Sequence, residues 1–234
     1  MTEIQQKRLT IGKIPVILWG EPAEKLYIYV HGLYGSKEEA EPFSNIVYHS
    51  GWQVLSLDLP GHGVRRDEAD AFTPWDIIPE LEHVLDYAKS GWRTTAVFAN
   101  SIGAWFSLLA FAEESLERCL FVSPILDMER MIQDMMKQAG VTESQLEAEQ
   151  RIPTESGQTL SWEYLTYVRN HPIVKWENPT RILYAENDTL TGFSVVDDFA
   201  KRFCCHLTIM ENGEHWFHTP QQMEVLYSWV KEDC

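Results

Sequence analysis

The sequence predicts an α/β protein, with a mainly parallel sheet covered by helices on both faces. Two observations carry this. Short continuous apolar runs, the pattern of strands buried on both sides, alternate along the chain with longer stretches whose apolar residues recur at helical spacing. One such run, Val97-Phe98-Ala99-Asn100, breaks at Ser101 and resumes at once as Ile102-Gly103-Ala104, a strand passing directly into a helix.

Taken in order, Ile4 to Leu18 alternates apolar and polar residues around Gly12-Lys13, as a β-hairpin does. Leu26 to Val30 reads as a buried strand ending in His31-Gly32-Leu33-Tyr34-Gly35, after which Ser36 is placed to cap a helix reaching about His49. Trp52 to Leu59 is a second buried strand, stopped by Pro60-Gly61-His62-Gly63. A helix starts at Thr73 with Pro74 in its first turn, and Trp75, Ile78, Leu81, Leu85 and Ala88 define its buried stripe. The Ser101 strand and helix follow, then a strand from Cys119 to Ile125.

Between Asp127 and Trp176 the pattern changes to helix-like, strand-poor sequence, with Met128, Met131, Met135 and Met136 on one helical face and Trp162, Tyr164 and Tyr167 later. Alternation returns with the strand Arg181 to Ala185, a helix from about Ser194 to Phe203, the strand His206 to Met210, and a closing helix near Thr219 with Pro220 in its first turn. No repeat or linker-like run separates these parts. The expectation is one domain over 1–234 with an insertion at about 127–176.

Composition narrows the function. The 234 residues, 44% hydrophobic, suffice for one substantial core. A formal net charge of -16, from 35 acidic against 19 basic residues, disfavours nucleic acid, anionic membrane surfaces and polyanionic substrates, and leaves a neutral or cationic small molecule as the fitting partner. Much of this acidity reads simply as a solvated surface. The start, MTEIQQKRLT, lacks a secretory pattern, and no stretch approaches the ~20 apolar residues of a membrane span. Cys119, Cys204, Cys205 and Cys234 have neither disulfide-framework nor metal-ligand spacing, so they read as reduced thiols of a cytoplasmic protein, the adjacent pair packing at a strand edge. No metal site, no dinucleotide fingerprint and no phosphate-cradling loop is visible, so no cofactor is expected. Oligomeric state is left open.

The chemistry centres on Ala99-Asn100-Ser101-Ile102-Gly103, a near match to the Gly-x-Ser-x-Gly turn that lifts a serine hydroxyl above a parallel sheet. Small residues are needed two positions either side of the serine because the strand and helix backbones pass so close there. Ala99 and Gly103 are small. A serine hydroxyl is a weak nucleophile and needs a base, and the base needs an orienting group. Asp188, in Ala185-Glu186-Asn187-Asp188, and His215, in Asn212-Gly213-Glu214-His215-Trp216, each follow a predicted strand and give the order Ser, Asp, His. Glu186, Asp197 and Asp198 compete for the role of the acid. His31 and His62 read as loop-stabilising, His83, His171, His206 and His218 carry no partner pattern, and Cys119 reads as core.

His31-Gly32, Asp58-Leu59-Pro60-Gly61-His62-Gly63, the serine turn, Asp188 and His215, in this order and each at a strand end, resemble the α/β-hydrolases of the compact esterase, lipase and serine-aminopeptidase-like type. The resemblance spans essentially the whole chain. It implies that Ser101 attacks a carbonyl carbon, that His215 moves the proton, and that Asp188 fixes the imidazole tautomer and stabilises the imidazolium. It also implies an oxyanion hole from the backbone N–H groups of Leu33 and Ile102, with such donors worth about 2.7–4 kcal/mol each. The 127–176 insertion would then form a cap, and Tyr34, Trp105, Met128, Met131 and Trp216 would line a substrate pocket. The function implied is a serine hydrolase that cleaves a small or medium carboxylic ester, probed by p-nitrophenyl esters, with activity falling as His215 is protonated. A peptidase or a carbon–carbon bond hydrolase would use the same residues. A non-catalytic ligand-binding homologue is the remaining alternative, with Ala99 as its sequence support.

Overall fold

The computed structural model describes residues 4–155 and 157–232. The chain opens as an antiparallel hairpin, β1 (Gln6–Ile11) and β2 (Ile14–Trp19), turned by Gly12 at φ 58°. β3 (Lys25–Val30), α1 (Glu41–Val47), β4 (Trp52–Leu57), α2 (Pro74–Gly91), β5 (Thr94–Asn100), α3 (Ile102–Ala110) and β6 (Cys119–Val122) follow. Then come α4 (Met128–Gln138), α5 (Glu143–Glu149), the short strands β7 (Arg151–Pro153) and β8 (Thr159–Ser161), and α6 (Trp162–Asn170). β9 (Thr180–Ala185), α7 (Phe193–Arg202), β10 (His206–Met210) and α8 (Pro220–Lys231) close the chain.

Eight strands make one sheet in the order β1-β2-β4-β3-β5-β6-β9-β10, parallel from β4 through β10. The chain runs from β3 outward to β4, then returns past β3 to β5. Such a reversal opens a crevice at the carboxyl ends of the central strands, where open α/β sheets place their ligands. Side-chain alternation divides the core into two layers. Leu26, Ile28 and Val30 of β3 and Val97 and Ala99 of β5 face α2, α3 and α7, while Tyr27, Tyr29, Ala96 and Phe98 face α1 and α8.

The expected strands and helices are present, with corrections at their edges. The helix expected from Ser36 to His49 is a 3-10 turn (Lys37–Ala40), α1, and a second 3-10 turn (Tyr48–Ser50), and Ser36 makes no side-chain cap bond. The buried stripe of α2 runs through Ile77, Leu81, Val84, Leu85 and Ala88; Trp75 and Ile78 flank it, and Trp75 packs on Tyr164 and Tyr167 of α6. The strand expected from Cys119 to Ile125 ends at Val122, because Ser123 turns into the left-handed region at φ 42°. The segment read as strand-poor does contain strands, the antiparallel pair β7 and β8. Along α4, Met128, Ile132 and Met136 are buried, and Met131 and Met135 pack beside them against the main core.

Cys119 is opposite Thr180 in register, and Cys205 immediately precedes the β10 residue His206, whose partner is Arg181. The two cysteines are therefore about two strand spacings apart, roughly 9.6 Å, too far for a disulfide. Cys204 is exposed, and Cys234 lies outside the described residues.

Candidate active site

The strand-to-helix turn at Ser101 sets the site. Ser101 adopts φ 51°, ψ -120°, a conformation rare for any residue with a side chain. Neighbouring backbone holds it there. Its N–H donates to Val122 O (3.0 Å), and its carbonyl accepts from Ala104 N–H and Ile125 N–H (3.1 Å each). Gly103 is required, since a Cβ would stand 2.5 Å from His31 O and 2.7 Å from Val30 O. Ala99 is fully buried in the strand below, so a methyl group is accommodated where the Gly-x-Ser-x-Gly motif has glycine.

His215 and Asp188 converge on this serine. Ser101 Oγ lies 2.8 Å from His215 Nε2, and His215 Nδ1 lies 2.7 Å from Asp188 Oδ2. The carboxylate can only accept, so Nδ1–H donates to it and Nε2 is left to accept the serine proton. Asp188 Oδ1 in turn accepts from the backbone N–H groups of Leu190 (2.8 Å) and Thr191 (2.9 Å), which fix the carboxylate on its loop after β9. Thr191 ties that loop to the support of Ser101, donating from Oγ1 to Pro124 O (3.3 Å), while Tyr184 OH donates to Thr191 O (2.9 Å).

The rival acids are engaged elsewhere. Asp197 pairs with Lys201 (2.5 Å), and Asp198 lines a separate cleft. Glu186 accepts from Asn212 N–H (2.8 Å) and, with Asn187 N–H donating to Gly213 O (2.8 Å), binds the turn that presents His215 to the loop that presents Asp188. That supporting role was missed in the sequence, where Glu186 figures only as a competing acid. Cys119, fully buried, has its thiol pushed up by desolvation, and burial pushes Cys205 up to about 12, so neither is a ready nucleophile.

The loop after β3 carries Leu33. Gly35 N–H donates to Gly32 O (3.1 Å), closing a turn over Leu33 and Tyr34, with Tyr34 at φ 66°. Among the described residues, the N–H groups of Leu33 and Ile102 donate to no acceptor, as donors reserved for an oxyanion would. Gly32 brings this loop against the serine turn, with a Cβ there standing 3.2 Å from Ser101 Cβ. The loop is clamped at both ends to the loop after β4. At one end His31 donates from Nδ1 to Gly32 O (2.7 Å) and accepts at Nε2 from Leu59 N–H (3.1 Å). Burial lowers the His31 pKa to about 4, keeping it neutral and able to do both. At the other end buried Asp58 accepts from Lys37 N–H (2.9 Å), Lys37 Nζ (2.5 Å) and Val64 N–H (3.0 Å). Gly63, at φ 53°, leaves the space that Asp58 fills. His62 donates from Nδ1 to Pro60 O (2.8 Å) within the same loop.

The expected pocket residues separate into two groups. Tyr34 and Trp216 stand at the surface beside Leu33 and His215, 81% and 72% exposed. Trp105 and Met128 do not join them. Trp105 is buried between α3 and α6, stacked on Tyr164 at 5.9 Å, and with Met128, Ile173 and Phe199 it lines a cleft of about 380 Å³ whose walls include none of Ser101, Asp188 or His215. α3 is buried on nearly every side, from Gly103 through Leu108, and Trp105 packs inward with its neighbours. Met131 borders a smaller cleft, about 190 Å³, together with Asp188 and Leu190. Among the described residues no group of three or more His, Cys, Asp or Glu side chains is arranged to hold a metal, and no helix is long and apolar enough to cross a membrane.

No family model and no curated protein matches the sequence. Solved structures do match. Est1E from Butyrivibrio proteoclasticus, solved with ferulic acid bound, aligns at 18% identity and a TM-score of 0.75 over 97% of each chain. Mouse alpha/beta hydrolase domain-containing protein 10 aligns at 13% identity and a TM-score of 0.75, again over 97% of each. The esterase Pf2001 from Pyrococcus furiosus aligns at 19% identity and a TM-score of 0.66, over 98% of this chain and 88% of its own. With its serine turn after β5, aspartate after β9 and histidine after β10, the chain has the α/β-hydrolase fold.

Proposed function

We propose that the protein is a serine hydrolase that cleaves a small or medium carboxylic ester through an acyl-enzyme. The observation that carries this reading is the continuous relay from Ser101 Oγ through His215 to Asp188, at 2.8 and 2.7 Å, on a serine held in a rare backbone conformation. Esterases among the solved structures of the same fold support the choice of ester.

In this reading Ser101 Oγ attacks the ester carbonyl carbon as its proton passes to His215 Nε2, and the carbonyl oxygen takes the negative charge beside the N–H groups of Leu33 and Ile102. His215 returns the proton to the departing alkoxide as the carbon–oxygen bond breaks, leaving an acyl group on Ser101. Water repeats the sequence, with His215 as base, and releases the acid. Asp188 stays ionised and stabilises the imidazolium in both halves.

The test is hydrolysis of p-nitrophenyl butyrate by the protein and by Ser101→Ala. Turnover that Ser101→Ala reduces by about 10⁴-fold or more is expected. Equal rates in both proteins would refute the reading.

A further inference from the structure

Tyr34 is in a conformation that its side chain makes costly and that its surroundings do not repay. It holds φ 66°, where glycine or asparagine is favoured, at the third position of the turn closed by Gly35 and Gly32. Strain of this kind persists in a fold when burial or a network of contacts over-determines it. At Tyr34 the ring is 81% exposed, and among the described residues the phenol makes one hydrogen bond, accepted from Gln158 Nε2 at 3.2 Å. Gln158 belongs to the turn between β7 and β8, so this single bond joins the segment inserted after β6 to the oxyanion loop.

The position of the ring supplies a reason for its retention. Tyr34 follows Leu33, on the β3 side of the β5 turn that holds Ser101, and Trp216 follows His215, which reaches Ser101 from the β10 side. Trp216 is also exposed, yet its ring is fixed by stacking on His218 at 4.8 Å, and His218 donates from Nδ1 to Trp216 O (2.8 Å). The side chains of Leu33, whose own N–H faces the oxyanion in the reading above, and of Leu190, two residues after Asp188, are exposed as well. An apolar rim therefore borders the nucleophile on both sides, whereas exposed apolar side chains scattered singly would mean nothing.

We propose that Tyr34 is the specificity-determining residue of this site, its ring receiving the ring-bearing or similarly bulky apolar portion of an ester that projects from the serine toward the β7–β8 turn. The proposal rests on the ester-hydrolase reading above. A flat apolar group would stack on Tyr34 and displace water from its face, and the Gln158 amide would remain beside it as a donor. Esters with only short alkyl groups would not reach the ring.

The experiment compares the parent with Tyr34→Gly, Tyr34→Asn and Tyr34→Phe. Thermal melts come first: glycine and asparagine accept the positive φ, so both variants should melt no lower than the parent, and a clear fall in both would mark the ring as a folding contact and overturn the proposal. Hydrolysis of ethyl acetate, ethyl 3-phenylpropanoate and 3-phenylpropyl acetate is then followed by acid release. Tyr34→Gly and Tyr34→Asn should lower kcat/KM for a phenyl-bearing ester by about tenfold or more relative to ethyl acetate, while Tyr34→Phe keeps the parental ratio. An unchanged ratio in all variants would overturn the proposal. A binding measurement separates this from failure of the ester-hydrolase reading: 4-phenylbutan-2-one, a ketone that cannot be hydrolysed, should bind Ser101→Ala, and adding Tyr34→Gly should weaken that binding about tenfold. Absent turnover with ring-dependent binding intact would sink the ester reading and support the role of Tyr34. Binding indifferent to Tyr34 would overturn the role of Tyr34.

Discussion

Replacing Asp58 tests how the loop carrying Leu33 is held. Its carboxylate is buried and accepts three hydrogen bonds, two from Lys37 and one from Val64 N–H. Asp58→Ala strands the equally buried Lys37 ammonium and two backbone N–H groups at once, leaving Lys37, among the described residues, the 3.3 Å contact with Glu38. Breaking a buried pair by removing one partner costs about 3–5 kcal/mol, and the two orphaned amides place this variant at the upper end, about 5 kcal/mol. Lys37→Met is milder, about 3 kcal/mol, because the carboxylate keeps both N–H donors. The double variant should cost less than the sum of the two by about 2 kcal/mol, since no unpaired charge then remains. Urea unfolding of the four proteins measures this directly. A cost for Asp58→Ala below about 1 kcal/mol, or strict additivity, would refute the claim that this pair clamps the loop carrying Leu33.

Two further outcomes follow from the same geometry. Ser101→Gly should relieve the φ 51° conformation; strain of about 1–3 kcal/mol less the extra entropy of glycine leaves a gain of about 1 kcal/mol, a melting temperature higher by about 2–4 °C, with activity lost. A lower melting temperature would show that the turn is not strained. His31 has a folded pKa of about 4 against about 6.5 unfolded, so its contribution is fully present above pH 6.5 and is lost as the pH falls toward 4. The loss is roughly 3 kcal/mol, and urea midpoints at pH 7.5 and 4.5 should differ more in the parent than in His31→Gln.

Much of this architecture was legible in the sequence because burial on two faces leaves continuous apolar strands, and because glycine marks close approach. Gly103 and Gly32 are small for the reason their positions imply, the nearness of Val30, His31 and Ser101. Asp188 and His215 could be placed because each follows a strand, and the structure brings both to Ser101. The strands β7 and β8 were not legible: at three residues each they are too short for alternation to register. Nearness in sequence to Ser101 says nothing of direction, and Trp105 packs inward with the rest of α3, which is buried from Gly103 through Leu108. The Lys37 and Asp58 pair carries no local signal, since its partners stand 21 positions apart and meet only when β3 and β4 align. The strain at Tyr34 is likewise invisible until the Gly32–Gly35 turn is seen.

The central claim is that His215 and Asp188 make Ser101 a nucleophile. Treatment with a fluorophosphonate, followed by mass spectrometry of the peptides, tests it without knowledge of the natural substrate. The account predicts one adduct, on Ser101, forming orders of magnitude more slowly in His215→Ala. An adduct on another residue, or labelling of Ser101 at the same rate with and without His215, would contradict it.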